Sequence, residues 1–263
     1  MNQPKIITLL SDFGWQDSYV GAMKGAIARI NPTLNILDLT HDIPPQDLTA
    51  ARFCLLNTYR YFPDGTVHVA VVDPGVGSRR RAIAVQIAAG TLVGPDNGIF
   101  SGILSETPAF AAVELTNPDY WRIPSPSNTF HGRDIFAPVG AHLASGTPLA
   151  ELGDAIAPGT LVQLPFPALK PTATGLEGCI QYCDRFGNLI ANIPAAAVAG
   201  KSWFLSAGER TFVGVKTYND VAKGESLALV GSHGWVEIAV NGGSARSQLN
   251  LDCGAVVCLR VTG

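Results

Sequence analysis

The sequence predicts an α/β amino-terminal domain with a largely parallel sheet, followed by a small all-β, barrel-like carboxyl-terminal domain. Three observations carry this expectation. Through the first half, short apolar runs alternate with stretches of helical apolar spacing. The stretch LVQLPFPALKPTATG, residues 161–175, then breaks the pattern with three prolines and a single charge. Beyond it GCIQYCD, KSWFL, TFVGVK, SLALVG, WVEIAV and AVVCLRV are short, β-rich and divided by Gly, Asn and Asp. The expected domains are residues 1–165 and 176–263, with 166–175 as linker.

Taken in order, Ile6 to Leu10 is a short apolar strand. Ser18 to Ile30 has helical spacing and stops before Asn31-Pro32. Leu34 to Leu39 is a second strand, and Asp47 to Tyr61 a second helix ended by Pro63-Asp64-Gly65. Val69 to Val72 reads as a buried strand. It runs into Asp73, then PGVGS, then Arg79, Arg80 and Arg81, and turns apolar again at Ala82. Turn chemistry explains the proline and glycines but not a carboxylate at a strand end with three guanidiniums a few residues later. Short strands at Ala82 to Gln86 and Thr91 to Val93 follow. Helices are expected from Ile99 to Leu104, after GPDNG, and from Asp134 to Ser145.

Bulk properties narrow the function. At 263 residues with net charge −3 the chain has no basic footprint for nucleic acid, so the three arginines are a local feature. No apolar stretch is long enough for a membrane span and no signal peptide is evident, so a soluble cytoplasmic protein is expected. The five cysteines form no CxxC pair. Cys179 and Cys183 lie four apart without a second pair or histidines to complete a zinc site, so buried free thiols and no metal are expected.

Polar residues sit where apolar strands end: Asp12 after IITLLS, Asp73 after VAVV, Asp96 and Asn97 after TLVGP. In open α/β sheets that edge is where ligands bind, so these positions are expected to share a crevice. Each also fits a helix cap or an Asx-turn. SDFG at 11–14 matches the kinase metal-binding tripeptide only by chance, because no HRD loop or Gly-rich phosphate loop accompanies it. SNTFHGRDIFAP (127–138) puts His131 and Arg133 where a loop meets a helix. CDRFGNLIANI (183–193) puts Phe186 in a turn, and GSHGWVEIAVNGGSA (231–245) carries polar residues at a turn, a tryptophan and then Asn241-Gly242-Gly243.

In order, SDFG, VVDPGVG with its arginines, GPDNG, TFHGRD, DRFGN and GSHGW…N resemble the S-adenosylmethionine hydroxide adenosyltransferases, hydrolytic relatives of fluorinase and chlorinase. The resemblance covers almost the whole chain. It implies an α/β and a β-rich domain and a homotrimer. S-adenosylmethionine would be the substrate, bound between one subunit's amino-terminal domain and the next subunit's carboxyl-terminal domain. It further implies that Asp12 binds the ribose hydroxyls and that Asp184 and Asn188 hold the methionine end. Phe186 and Asn241 would belong to the adenine pocket, with Ser232 on the methionine side. The hydrolytic triad would be Asp73, Arg80 and His131, with Arg81 one position from the arginine role. Where halogenases carry a tyrosine and a halide-holding serine, this chain has Asp73 and Gly132.

The chemistry implied is displacement at ribose C5′, with oxygen entering and methionine leaving as a neutral thioether that needs no acid. The obstacle is the nucleophile, since water has a pKa of about 15.7. A guanidinium and an imidazole beside a water favour its ionised form. No metal and no cofactor are required. The other readings are a non-catalytic protein that binds S-adenosylmethionine or adenosine, a halogenase, and a structural protein in which Asp73–Arg80 is only a salt bridge.

Overall fold

The computed structural model describes residues 5–262 and divides into two compact units, Met1–Leu164 and Pro165–Gly263. The first is built on seven strands: β1 (Ile6–Ser11), β2 (Asn35–Thr40), β3 (Thr66–Val71), β4 (Ala82–Ile87), β5 (Gly90–Pro95), β6 (Ala111–Glu114) and β7 (Asp154–Ala155). Their spatial order is β2-β1-β3-β5-β4-β6-β7. The β2-β1-β3-β5 half is parallel, as expected. From β4 onward the pairings are antiparallel. The reversal follows from chain length: only Ala88 and Ala89 separate β4 from β5, and a two-residue connection closes only an antiparallel pair.

Helices α1 (Tyr19–Ile30), α2 (Leu48–Thr58), α3 (Ser101–Glu106) and α4 (Ala137–Ala144) complete the unit. The buried face of α1 is Val20, Met23, Ala26 and Ile27, the spacing of one helical stripe. Met23 and Ile27 meet Ile7, Leu9, Val67, Val69, Phe136 and Val139 in one core. On the opposite sheet face His68 is buried against Tyr59 and Phe62 and bonded to Thr8 Oγ1 at 2.8 Å. With helices on both faces, β3 is buried along its whole length. Asp47 caps α2 by accepting from the Ala50 N–H at 2.9 Å.

The helix expected from Asp134 begins earlier and differently, as a wide π-type turn over Gly132–Phe136 that passes into α4. Pro138 is the reason. It has no N–H to offer the carbonyl four residues back, so the Asp134 carbonyl accepts instead from Arg122 N–H at 2.9 Å.

The second unit holds β8 (Lys170–Thr172), β9 (Gly175–Cys183), β10 (Leu189–Pro194), β11 (Ser202–Ala207), β12 (Arg210–Val213), β13 (Ser226–Val230), β14 (Trp235–Val240), α5 (Ala245–Leu249) and β15 (Val256–Thr262). The order is β12-β11-β15-β9-β10-β14-β13, with β8 also on β9. All these pairings are antiparallel. A bridge from Gly214, just past β12, to Ala228 in β13 nearly closes the path. Ile180, Leu189, Ile193, Trp203, Leu205 and Ile238 fill the interior. The stretch expected as linker contains β8, kept short because Pro171 cannot donate to a ladder.

The thiols depart from expectation. Cys179 is buried, but Cys54, Cys183 and Cys258 are half-buried and Cys253 is exposed, because residues 252–254 form a turn at the surface. Among the described residues no helix is long and apolar enough to cross a membrane.

Candidate active site

The carboxyl ends of the central parallel strands carry the site. Asp12 follows β1 directly, and Asp73 lies just past β3. Both line a cavity of about 360 Å³ shared with Phe13, Tyr19, Gln46, Phe130 and His131. Asp96, expected in the same crevice, does not line it. Its Oδ2 accepts from Arg81 Nε at 2.8 Å and its Oδ1 from the Val162 N–H at 2.8 Å. Asn97 likewise ties the turn, donating to the Val72 carbonyl at 2.8 Å. GPDNG is thus a strut between strand ends.

The two arginine candidates separate cleanly. Arg80 Nε donates to Asp73 Oδ1 at 2.9 Å, and its Nη2 reaches both Asp73 Oδ2 and His131 Nδ1, the latter at 2.7 Å. Arg81 points the other way, to Asp96 and to the Thr160 carbonyl at 2.6 Å. The Arg80 and Asp73 side chains are only 10% and 5% exposed, so little water screens the pair. Arg80 also lies over the Phe136 ring, 5.2 Å from its centroid, which fixes the plane of the guanidinium.

Two glycines make this assembly possible. Gly77 has φ +73°, and a Cβ there would come within 2.3 Å of the Asn128 carbonyl oxygen. The bare backbone lets the loop bearing His131 approach the Asp73–Arg80 turn. Gly132 is the second: a Cβ would meet Phe130, Met23 and Phe13 at 3.2–3.4 Å, so a serine there requires its neighbours to shift.

Near His131, the buried carboxylate of Asp134 accepts from Arg133 Nε at 2.7 Å, from Arg122 and from the Ser127 N–H at 2.9 Å. Burial alone would raise the Asp134 carboxyl, but these donors win and hold it well below the usual carboxylate range. Burial and the Arg80 charge push the His131 imidazole down, so the ring is neutral at pH 7. Arginine has only donors to offer. The Nδ1 atom facing Arg80 is therefore the acceptor, and the ring proton sits on Nε2.

Asp12 is oriented by the backbone. Its Oδ2 accepts from the Gln46 N–H at 2.8 Å, with Gln46 itself at φ +66°. Behind it Ser11 Oγ bonds His41 Nδ1 at 2.7 Å, His41 Nε2 bonds Asp38 at 3.0 Å, and Lys24 bonds Asp38 at 2.6 Å. This chain, buried at Ser11 and His41 and exposed at Asp38, fixes the loop after β1.

The second unit carries a cavity of about 570 Å³ lined by Phe186, Asn188, Tyr218, Val240, Gly242, Gly243 and Ser244. Phe186 is 77% exposed. Asp184 organises the turn, its Oδ1 accepting from the N–H groups of Phe186 at 2.9 Å and Asn188 at 2.8 Å. Asn188 Nδ2 donates to Asp184 Oδ2 at 2.9 Å. Asn241, between lining residues, donates to the Val221 carbonyl at 2.9 Å. Ser232 is in the exposed turn between β13 and β14, at the end of β14 opposite Val240.

Comparison with known proteins decides the family. The description "SAM hydroxide adenosyltransferase" matches this chain twice, its N-terminal domain over residues 7–153 and its C-terminal domain over residues 178–258. The chain belongs to the SAM hydroxide adenosyltransferase family. Among its relatives, "(R)-S-adenosyl-L-methionine hydrolase" of Salinispora arenicola is 44% identical, over 97% of each chain. A fluorinase of an Actinoplanes species is 30% identical, again over 97% of each. The crystal structure of an uncharacterized conserved protein from Thermotoga maritima superposes with a TM-score of 0.90 at 34% identity, covering 96% of this chain and 99% of that one.

Within this SAM hydroxide adenosyltransferase, several lining residues had no signal in the sequence. Tyr19 and Phe130 stack edge-on at 5.2 Å, and Phe13 meets Phe130 at 5.6 Å, so three aromatics wall the first cavity. Phe13 and Phe130 lie inside the SDFG and TFHGRD stretches, whereas Tyr19 has no motif around it. Tyr218 sits in a short helical turn with no motif around it, and its hydroxyl donates to Glu237 at 2.6 Å.

Proposed function

We propose that the protein hydrolyses S-adenosyl-L-methionine to adenosine and L-methionine by attack of hydroxide on ribose C5′. The observation that carries this reading is that Asp73 and His131, both bonded to Arg80, line one cavity with Asp12. Oxygen bonds to C5′ as the C5′–S bond breaks, and the bonding pair returns to sulfur to give neutral methionine. The water that supplies hydroxide releases one proton to solvent. With Nδ1 accepting from Arg80, His131 is not the base at that nitrogen. Its Nε2–H is instead a donor, and with Arg80 it stabilises an oxygen already carrying hydroxide character. Asp73 locks the guanidinium in place.

In this reading Asp12 accepts from the ribose hydroxyls. Asp184 and Asn188 take the methionine end, Phe186 and Asn241 adenine, and Ser232 the methionine side. The residues are divided between the two units, each with its own cavity. Sharing of each site between subunits of a homotrimer accounts for that division. Neither a metal nor a cofactor takes part. Crowding at Gly132 and the carboxylate at Asp73 favour hydroxide over halide. Incubation with S-adenosyl-L-methionine and chromatography of the products tests the reading. Adenosine and methionine in equal amounts are expected, and recovery of intact substrate, or of a halogenated adenosine, contradicts it. Assembly is tested by mixing D73N and F186A variants after dissociation. Shared sites restore part of the activity; sites contained in one chain restore none.

A further inference from the structure

Side chains from two distant parts of the sequence meet at one end of β9. Cys183 closes that strand, and Asp252 and Cys253 form the turn leading to β15. The Cys183 and Cys253 sulfurs are 3.8 Å apart, and Cys183 Sγ lies 3.5 Å from Asp252 Oδ1. The three ligand atoms all fall within 4.8 Å of one another. Zinc–sulfur bonds of about 2.3 Å and zinc–oxygen bonds of about 2.0–2.2 Å at tetrahedral angles require S···S near 3.8 Å and S···O near 3.5 Å. The two distances observed are those edges.

From this coincidence we propose that Cys183, Asp252 and Cys253 form a binding site for a thiol-preferring divalent cation of the zinc class, with water in the fourth position. The cluster is anchored rather than incidental. Asp252 is aimed by two donors, its own neighbour's N–H (Cys253) at 2.8 Å and Arg246 Nη2 at 2.6 Å. The turn is pinned to β9 by the Gly254 N–H donating to the Ile180 carbonyl at 2.8 Å. Binding displaces the protons of two thiols, giving two thiolates and one carboxylate around a doubly charged ion. The resulting single negative charge is offset by Arg246, in the manner of outer-shell partners at metal centres. Without metal, the hydrogen bond with Cys253 and then burial keep the Cys183 thiol protonated. The neighbour on the other side is Asp184, so the ion would sit one residue from the turn that presents Phe186 and Asn188.

The test uses the full chain, reduced and stripped with a chelator, then titrated with Co²⁺ and back-titrated with Zn²⁺. One Co²⁺ per chain is expected, with a near-ultraviolet thiolate-to-cobalt band and the visible bands of a tetrahedral ion, both lost as Zn²⁺ enters. Cys253 is exposed, so C253S keeps the fold, checked by circular dichroism, yet loses the thiolate band. D252N weakens Co²⁺ binding about tenfold or more, whereas C54S binds as the parent does. Zn²⁺ raises the melting temperature of the parent and not of C253S. No stoichiometric Co²⁺ uptake, or a thiolate band that survives in C253S, overturns the proposal. So does a Cys183–Cys253 disulfide that resists reductant and excludes metal.

Discussion

Arg80 and Arg81 are adjacent in sequence and chemically identical, yet they serve different ends because strand β4 begins immediately after them. One guanidinium turns toward Asp73 and His131, the other toward Asp96 and Thr160. Arg80→Ala should lower turnover about a hundredfold with little change in substrate affinity, as expected for a group whose contribution grows as the transition state forms. Arg81→Ala should instead lower the melting temperature and leave turnover nearly intact. Steady-state kinetics and thermal unfolding of the two variants check this, and a larger kinetic loss at Arg81 would reverse the assignment. His131 gives a second prediction at this scale. Burial and the Arg80 charge depress its pKa, so the neutral ring persists below the ordinary imidazole range. Protonation would turn Nδ1 into a donor facing Arg80. Turnover should therefore fall on the acid side with a midpoint below about 6.5, and H131A should flatten that limb of the pH profile.

At the scale of elements, the PGVG turn and the loop before α4 are joined through a backbone contact that only glycine permits. Gly77→Ala should cost about 1–3 kcal/mol from the left-handed φ and the clash with the Asn128 carbonyl. It should also reduce activity by moving His131 from Arg80. Gly200 has φ +72° with nothing near its would-be Cβ, so Gly200→Ala is the control for φ alone. Denaturant melts and kinetics separate the two effects. The alternation of apolar runs made β1 to β5 and helices α1 and α2 legible in the sequence, and β1 and β3, buried almost throughout, read as continuous apolar stretches. The antiparallel return at β4 was not legible, since periodicity carries no strand direction. The π-type turn at Gly132 was hidden because it depends on where one freed carbonyl finds a donor. Motif residues such as Asp73 and His131 could be named from sequence. Tyr19, Gln46 and Tyr218 could not, since only the folded backbone brings them to a cavity.

Considered as a whole molecule, stability and function draw on different histidines. His68 is buried between Thr8, Tyr59 and Phe62, and burial pushes its imidazole down to about 4. A group depressed in the folded state contributes stability above its unfolded value, about 6.5, and that stability is lost as pH falls through the folded value. The amino-terminal unit should lose about 3 kcal/mol between pH 6.5 and 4 from this residue. Unfolding followed across that range, with H68Q as reference, measures it; a pH-independent difference would remove His68 from this role. On the proposed reading, displacement at C5′ draws on residues of both units. The proposed nucleophile is solvent oxygen, held by Arg80 and His131. Turnover of S-adenosyl-L-methionine in ¹⁸O-labelled water, with the products read by mass spectrometry, tests it directly. One label in the 5′-hydroxyl of adenosine is the predicted result; unlabelled adenosine, label in methionine, or chloride at C5′ would contradict it.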